Sequence, residues 1–340
     1  MSRDAELERN IDMNMSEQEQ MRKQGLRGTL CRDEPMARHV SWRAGGRARR
    51  TYAPADLDDM AVFLRGLPDG EPVCMVGLGS NLLVRDGGFD GTVIFTHWAL
   101  RDVRVALNEP MGGEITAQAG VASPKVARVA ALNNLAGAEF LAGIPGTVGG
   151  AVAMNAGCYG GETWDIVAQV ETLDRAGVLH VRTPGHYTVA YRSVERRCRQ
   201  LSNIPGGTTR KQGDAEEWFV SATFRLPRGD GNEAREKIKT LLSQRIAAQP
   251  LGKPNAGSVF RNPPGDYAAR LIEACGLKGR VIGGAAISAK HSNFIINAGG
   301  ASAADIEALI ELTQHTVQQC FGVRLEREVR VIGERKAQQA

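Results

Sequence analysis

The chain has 340 residues, 42% of them hydrophobic and 24% charged, with a formal net charge of +4. That makes it too long for a disulfide miniprotein, too apolar for a disordered chain and too balanced in charge to specify a polyanionic partner. Six cysteines without CxxC spacing speak against structural zinc and fit free thiols in a reducing cytosol, while forty glycines, about 12% of the chain against a usual ~7%, imply backbone that needs positive φ or close approach to a ligand.

Residues 1–28 are polar and without a sustained pattern, so they read as a mobile leader, and no apolar run approaches the ~20 residues of a membrane span, which places the protein in the cytoplasm. Ala55–Leu67 reads as a short helix and Pro72–Val76 as a strand. The turn Gly77-Leu78-Gly79-Ser80-Asn81 and strands at Leu82–Val84 and Thr92–Phe95 follow. Ser123 as N-cap and Pro124 at N1 open a helix whose stripe is Val126, Val129 and Ala130 and whose stop is Gly137. In Gly143–Gly161 seven of nineteen residues are glycine and one, Tyr159, is aromatic, a composition suited to backbone wrapped around a large ligand.

Strands are expected at Val167–Leu173, Leu179–Arg182 and Trp218–Leu226, with a polar surface loop at Glu195–Glu217. Glu233–Gln249 reads as a helix with Ile238, Leu241, Leu242 and Ile246 on one side, and Arg245 falls on that same inward stripe. A tract at Pro254–Pro264, a helix at Tyr267–Cys275, strands at Val281–Ile287 and Asn293–Asn297, a helix at Ala303–Phe321 and a final strand at Val323–Ile332 complete an α+β pattern. The implied division is 1–28, 29–98, 99–226 and 227–335.

Gly77-Leu78-Gly79 lacks the third glycine of a Rossmann fingerprint and precedes an extended segment where that motif needs a helix. A turn of N–H groups with Ser80 and Asn81 can still cradle a pyrophosphate, and with the second glycine tract it favours phosphate or dinucleotide binding. Arg192 can grip a carboxylate and stabilise charge developing beside it, although alone it reads as a surface arginine. Ser258 has no histidine beside it in sequence and alone reads as a capping hydroxyl. Glu328 alternates with Arg324, Glu326 and Arg330, which periodicity alone would make a solvated charge ladder. No HxH or HExxH pair is present, so no catalytic metal is expected, and the scattered basic residues do not suit nucleic acid.

These pieces combine into one pattern. Ser41–Gly46, Val76–Val84, Gly143–Gly161, Tyr191-Arg192-Ser193, Ala256–Pro263, Lys290–Asn297 and Leu325–Gly333 resemble, in order, the motifs of the UDP-N-acetylenolpyruvoylglucosamine reductase family. The second tract looks like the family's shorter, second type, and Leu78 stands where the family commonly has glycine. The resemblance implies an α+β chain: an FAD-binding fold of the vanillyl-alcohol-oxidase type in two subdomains (29–98 and 99–226) and a C-terminal substrate-binding domain (227–335). It implies non-covalent FAD, NADPH as co-substrate, the enolpyruvyl ether of UDP-N-acetylglucosamine as substrate, and a monomer or weak oligomer with no nucleic-acid or membrane partner.

Residue by residue, it assigns Arg43, Gly45, Gly46, Gly77, Gly79, Ser80, Asn81 and Leu82 to the cofactor. From the second tract it adds Gly143, Ile144, Pro145, Gly146, Gly149, Gly150, Asn155 and Gly157. Arg192 and Glu328 would stabilise an enolate-like intermediate and Ser258 would protonate it, with Arg245 and Asn262 as candidates for gripping substrate. Another FAD-dependent oxidase of the same fold, or a non-catalytic nucleotide-sugar module, would share the glycine tracts without needing Ser258 and Glu328.

Overall fold

The computed structural model describes residues 25–197 and 216–336. Residues 1–24 of the expected leader and most of the Glu195–Glu217 loop lie outside the described residues. At the near end, Leu26 is buried and the Arg27 N–H donates to Asp59 at 2.7 Å. The chain divides into two compact units, each assembled from separate stretches: one holds 52–71, 94–238 and the described residues up to Cys31, the other 32–51, 72–93 and everything from Lys239 onward.

In the first unit, α1 (Leu57–Arg65) starts at Asp56, whose carboxylate accepts the Asp59 N–H at 2.9 Å. Five antiparallel strands lie in the order Leu179–Arg182, Val167–Asp174, Glu217–Pro227, Gly112–Gln118 and Val103–Asn108. Glu217–Pro227 shows why they form: Val220, Ala222, Phe224 and Leu226 alternate inward against Thr223, Arg225 and Pro227. Helices α2 (Ser123–Leu132) and α3 (Val148–Ala153) share that core through Val126, Ala127, Ala130, Val148, Ala151 and Val152. The cap of α2 differs from expectation. Ala122 is the N-cap, Ser123 is already helical, and its buried hydroxyl has no hydrogen-bond partner among the described residues. The helix stops at Asn133, four residues before Gly137.

α4 (Gly231–Ala248) departs from its expected stripe, because Ala234 is buried and Ile238 packs on the first core while Leu242 and Ile246 are exposed, Ile246 by 62%. At about 100° per residue the row 234, 238, 241, 245 is centred inward, and 242 and 246 turn progressively out of it; Arg245 stays on the inner row and is half-buried.

The second unit packs α5 (Ala268–Ala274) and α6 (Ala303–Phe321) with a three-stranded antiparallel sheet in the order Val281–Ile282, Ala285–Ile287, Ile295–Asn297. The single strand expected at Val281–Ile287 is thus a hairpin, broken at Gly283, where φ is +51°. Leu271, Ile272, Ala285, Ile287, Ile306, Leu309 and Ile310 form its core together with Phe260. A four-stranded sheet runs in the order Thr29–Pro35, Arg47–Ala53, Phe89–Phe95, Val73–Val76. Arg330–Ile332 pairs in parallel with Leu82–Val84, and this is the whole of the final strand; residues before Arg330 bond to loops instead. Fully buried Trp42 ties the Ser41–Gly46 stretch to the C-terminal part of the unit. Its indole N–H donates to the Ile295 carbonyl at 2.7 Å, and its own carbonyl accepts Asn297 Nδ2 at 2.9 Å.

Candidate active site

In the second unit the first glycine tract connects the strand Val73–Val76 to Leu82–Val84. Gly79 has φ +60°, and a Cβ there would lie 2.0 Å from the His39 carbonyl, so only glycine lets this turn lie against the 39–46 stretch. The Ser41 N–H closes the contact on the Gly79 carbonyl at 3.0 Å. Gly45 bridges to Val84, the Gly46 N–H bonds the Arg85 carbonyl, and Arg43, two residues before Gly45, takes a left-handed φ of +53°. Gly77 heads the turn, Leu82 is buried at its exit, and the Leu78 side chain is 43% exposed, so the residue that departs from the family pattern points outward. Among the described residues, no protein acceptor takes the N–H of Gly79 or Ser80. Unpaired donors in a largely backbone-lined turn are what a pyrophosphate requires.

The same unit brings Asn81, Ser258 and Glu328 together. Asn81 Nδ2 donates to the Glu328 carbonyl at 3.1 Å, the Arg330 N–H donates to Asn81 O at 3.0 Å, and the Glu328 N–H donates to Val259 O at 2.8 Å. Ser258 therefore sits one residue from a backbone bond to Glu328 and two links from the glycine turn. The charge ladder anticipated for Glu328 does not form as a unit: Arg324, Glu326 and Arg330 are exposed, whereas Glu328 is half-buried. Asn262 uses its Oδ1 to accept the Ala268 N–H at 3.1 Å, at the first turn of α5, and Arg245 Nε donates to Gln249 at 2.8 Å.

The first unit holds the second tract and Arg192. Val148 and Gly149 donate to the carbonyls of Val121 and Ala119, and the Gly146 carbonyl accepts the Ser123 N–H, so the tract is pinned along the entry to α2. Gly143 and Ile144 are buried, while Pro145 and Gly150 face solvent and Gly146, Gly149 and Gly157 are half-buried. Arg192 occupies, with Tyr191, the two-residue turn of the hairpin Tyr187–Ala190/Ser193–Arg196. Its φ is +55°. Its guanidinium donates to the carbonyls of Asn155 at 3.2 Å and Gly157 at 3.1 Å, and lies 5.1 Å from the Tyr191 ring centre.

Asn155, at φ +40°, spends its buried carboxamide on Glu162 (2.7 Å), the Ala190 carbonyl (3.2 Å) and the Trp164 N–H (3.1 Å). It thereby locks the tract to the Arg192 hairpin, a supporting role that the sequence pattern did not indicate. Arg43, Asn155 and Arg192 are all non-glycine residues in left-handed conformations, each costing on the order of 1–2 kcal/mol, the kind of strain that persists where surrounding structure and function demand it.

Among the described residues no group of three or more His, Cys, Asp or Glu could hold a metal, and no helix is long and apolar enough to cross a membrane. The donor set, backbone amides with hydroxyl, carboxamide and guanidinium groups, fits a dinucleotide.

Two family models match the chain: an FAD binding domain over residues 48–182, and the C-terminal domain of UDP-N-acetylenolpyruvoylglucosamine reductase over residues 249–332. A UDP-N-acetylenolpyruvoylglucosamine reductase of Thiobacillus denitrificans is 56% identical over 322 residues, covering 92% of this chain and 94% of its own. One of Legionella pneumophila is 49% identical over 312 residues, with 92% and 94% covered. The crystal structure of UDP-N-acetylenolpyruvylglucosamine reductase from Thermus caldophilus superposes with a TM-score of 0.69 at 29% identity, spanning 90% of this chain and 99% of that one.

Proposed function

The chain belongs to the UDP-N-acetylenolpyruvoylglucosamine reductase family, and on that premise we propose what its own residues do in the reaction. It is an FAD-dependent oxidoreductase of α+β fold that reduces the enolpyruvyl ether of UDP-N-acetylglucosamine to UDP-N-acetylmuramate, a peptidoglycan precursor. FAD, which the glycine turn at Gly79–Asn81 would help to hold, would supply hydride chemistry for the vinyl group, with NADPH as the proposed reductant.

The proposed pyrophosphate cradle of the second unit is the pair of unpaired N–H groups of Gly79 and Ser80 with the Asn81 turn; in the first unit the residues of the second tract are proposed cofactor contacts in their own right. The reduction adds hydride at one vinyl carbon and leaves carbanion character on the carbon beside the carboxylate. Ser258 delivers the proton to that carbon from its hydroxyl. A serine is a weak acid in water, but an enolic carbanion is a strong base, so transfer proceeds if the two are held at hydrogen-bond distance. Arg192 is proposed to answer the negative charge with its guanidinium, and Glu328 to share a proton on the carboxylate side. Arg245 and Asn262 orient the nucleotide sugar. The same reading makes this a cytoplasmic enzyme, a monomer or weak oligomer without nucleic-acid or membrane partners.

The observation that carries this reading is the bond from the Glu328 N–H to Val259 O, which supports Ser258 and Glu328 acting on one substrate molecule. Anaerobic stopped flow tests it. NADPH should bleach the flavin of Ser258→Ala as fast as that of the unaltered protein. Recovery of the oxidised spectrum on adding the enolpyruvyl nucleotide should slow by 10²-fold or more, on the order expected for a lost general acid. Equal recovery rates would remove the serine from its role.

A further inference from the structure

We propose that Asn293 is the positioning residue for Ser258, setting the angle at which the serine meets the substrate; the inference rests on Ser258 being the proton donor. Asn293 is only 4% exposed. Its Oδ1 accepts the Phe260 N–H at 3.0 Å, and its Nδ2 donates to the Phe260 carbonyl at 2.8 Å. Its own carbonyl accepts the Val259 N–H at 2.9 Å.

One residue thus makes three hydrogen bonds to the two positions that follow Ser258. The carboxamide orientation is fixed by its partners, since turning it over would set donor against donor and acceptor against acceptor. On the other side the Glu328 N–H holds Val259 O and the Arg261 N–H holds the Glu326 carbonyl at 2.9 Å. The 259–261 backbone is therefore gripped from both edges, as a central strand would be, although it is a loop. Gly257 precedes the serine at φ +76° with open space where a Cβ would go, and its N–H donates to Asn255 Oδ1 at 2.9 Å, so before Ser258 the turn is held by a local side-chain bond and after it by Asn293 and the 326–328 backbone.

The electrostatics follow from burial. A carboxamide matched donor to acceptor with a peptide unit satisfies every group it touches. Asn293→Asp keeps the shape and the bond from the Phe260 N–H but sets a carboxylate oxygen against the Phe260 carbonyl, which pushes the turn away. A shift of about 1 Å in a reacting group costs on the order of 10²-fold, and loss of a residue supporting a reactive group typically 10–100-fold.

The test compares holoenzymes carrying Asn293→Asp, Ser258→Ala and both changes in the two half-reactions. Asn293→Asp should be reduced by NADPH within about twofold of the unaltered rate while its reoxidation by the enolpyruvyl nucleotide slows roughly 10–100-fold. The double variant should reoxidise within about twofold of Ser258→Ala alone, because residues acting through one group are non-additive. Multiplied effects, unchanged reoxidation, or equal slowing of both half-reactions would overturn the positioning role. Ser258→Ala reoxidising at full rate is a different result, sinking the proton-donor reading itself. If Asn293→Asp does not retain flavin, Asn293→Ser is carried through the same comparison; loss of flavin in both would make Asn293 a folding residue and overturn the proposal.

Discussion

Arg192 combines a strained backbone with a reactive charge, and the two can be separated. At φ +55° a glycine is unstrained and an alanine is not, so Arg192→Gly should be about 1 kcal/mol more stable than Arg192→Ala in urea unfolding. Both should lose reoxidation by more than ~100-fold if the charge stabilises the intermediate. Alanine proving the more stable variant would mean that the turn carries no strain. His291 offers a second residue-level test. Burial holds its imidazole below the ordinary 6.5, with the charge of Lys278 adding to the effect and Glu273 opposing it. The unfolded chain therefore takes up the proton first, so stability present above pH 6.5 is lost as pH falls from 6.5 through the lower folded value. The melting temperature of His291→Gln should fall less between pH 7.5 and 5.5 than that of the unaltered protein; parallel slopes would refute this. Read one at a time, Arg192, Ser258 and Glu328 look like ordinary surface or capping residues, and only their collinear motifs single them out. Asn155 and Asn293 lie in two of the same motifs, but their supporting bonds were not legible there, because those bonds reach across as many as 35 residues of chain that periodicity does not connect.

Among the elements, α6 was legible to the residue, since Ser302 and Asp305 form a capping box and Gly322 ends it in a left-handed cap at φ +69°. A further cap comes from a distance. The Asp86 carboxylate accepts the N–H groups of Ala303 and Ala304 at 3.0 and 2.8 Å, from the loop just after Leu82–Val84. Asp86→Ala should cost about 1–2 kcal/mol, read as a lower melting temperature, and Asp86→Asn less, because the amide oxygen still accepts. Equal stability of all three proteins would show the cap to be incidental. Elements that sequence alone placed poorly share a physical cause. The apolar stripe of α4 is narrower than its leucine and isoleucine count implies. The run Val323–Ile332 alternates like a strand, yet pairs as one only where Leu82–Val84 meets it at 330–332.

At the scale of the whole chain, the second unit is sewn from three stretches, and its parallel pair joins Leu82–Val84 to Arg330–Ile332 near the end of the described sequence. A protein ending at Val329 should lose that pairing, fail to retain flavin and expose the fully buried Leu83 and Val84, detectable as increased binding of a hydrophobic dye. A protein ending at Lys336 should behave as the full chain. Flavin retention by the shorter protein would show the pair to be dispensable.

The same long-range seam has a consequence during synthesis. About 250 residues separate Leu82 from its mate, so at about 5–20 residues per second the ribosome delivers the partner on the order of 10–50 s late. For that interval the nascent Leu-Leu-Val segment lacks its strand partner and has only the bridge from Val84 to Gly45. Slower translation of the last hundred codons would lengthen the time it spends open to aggregation.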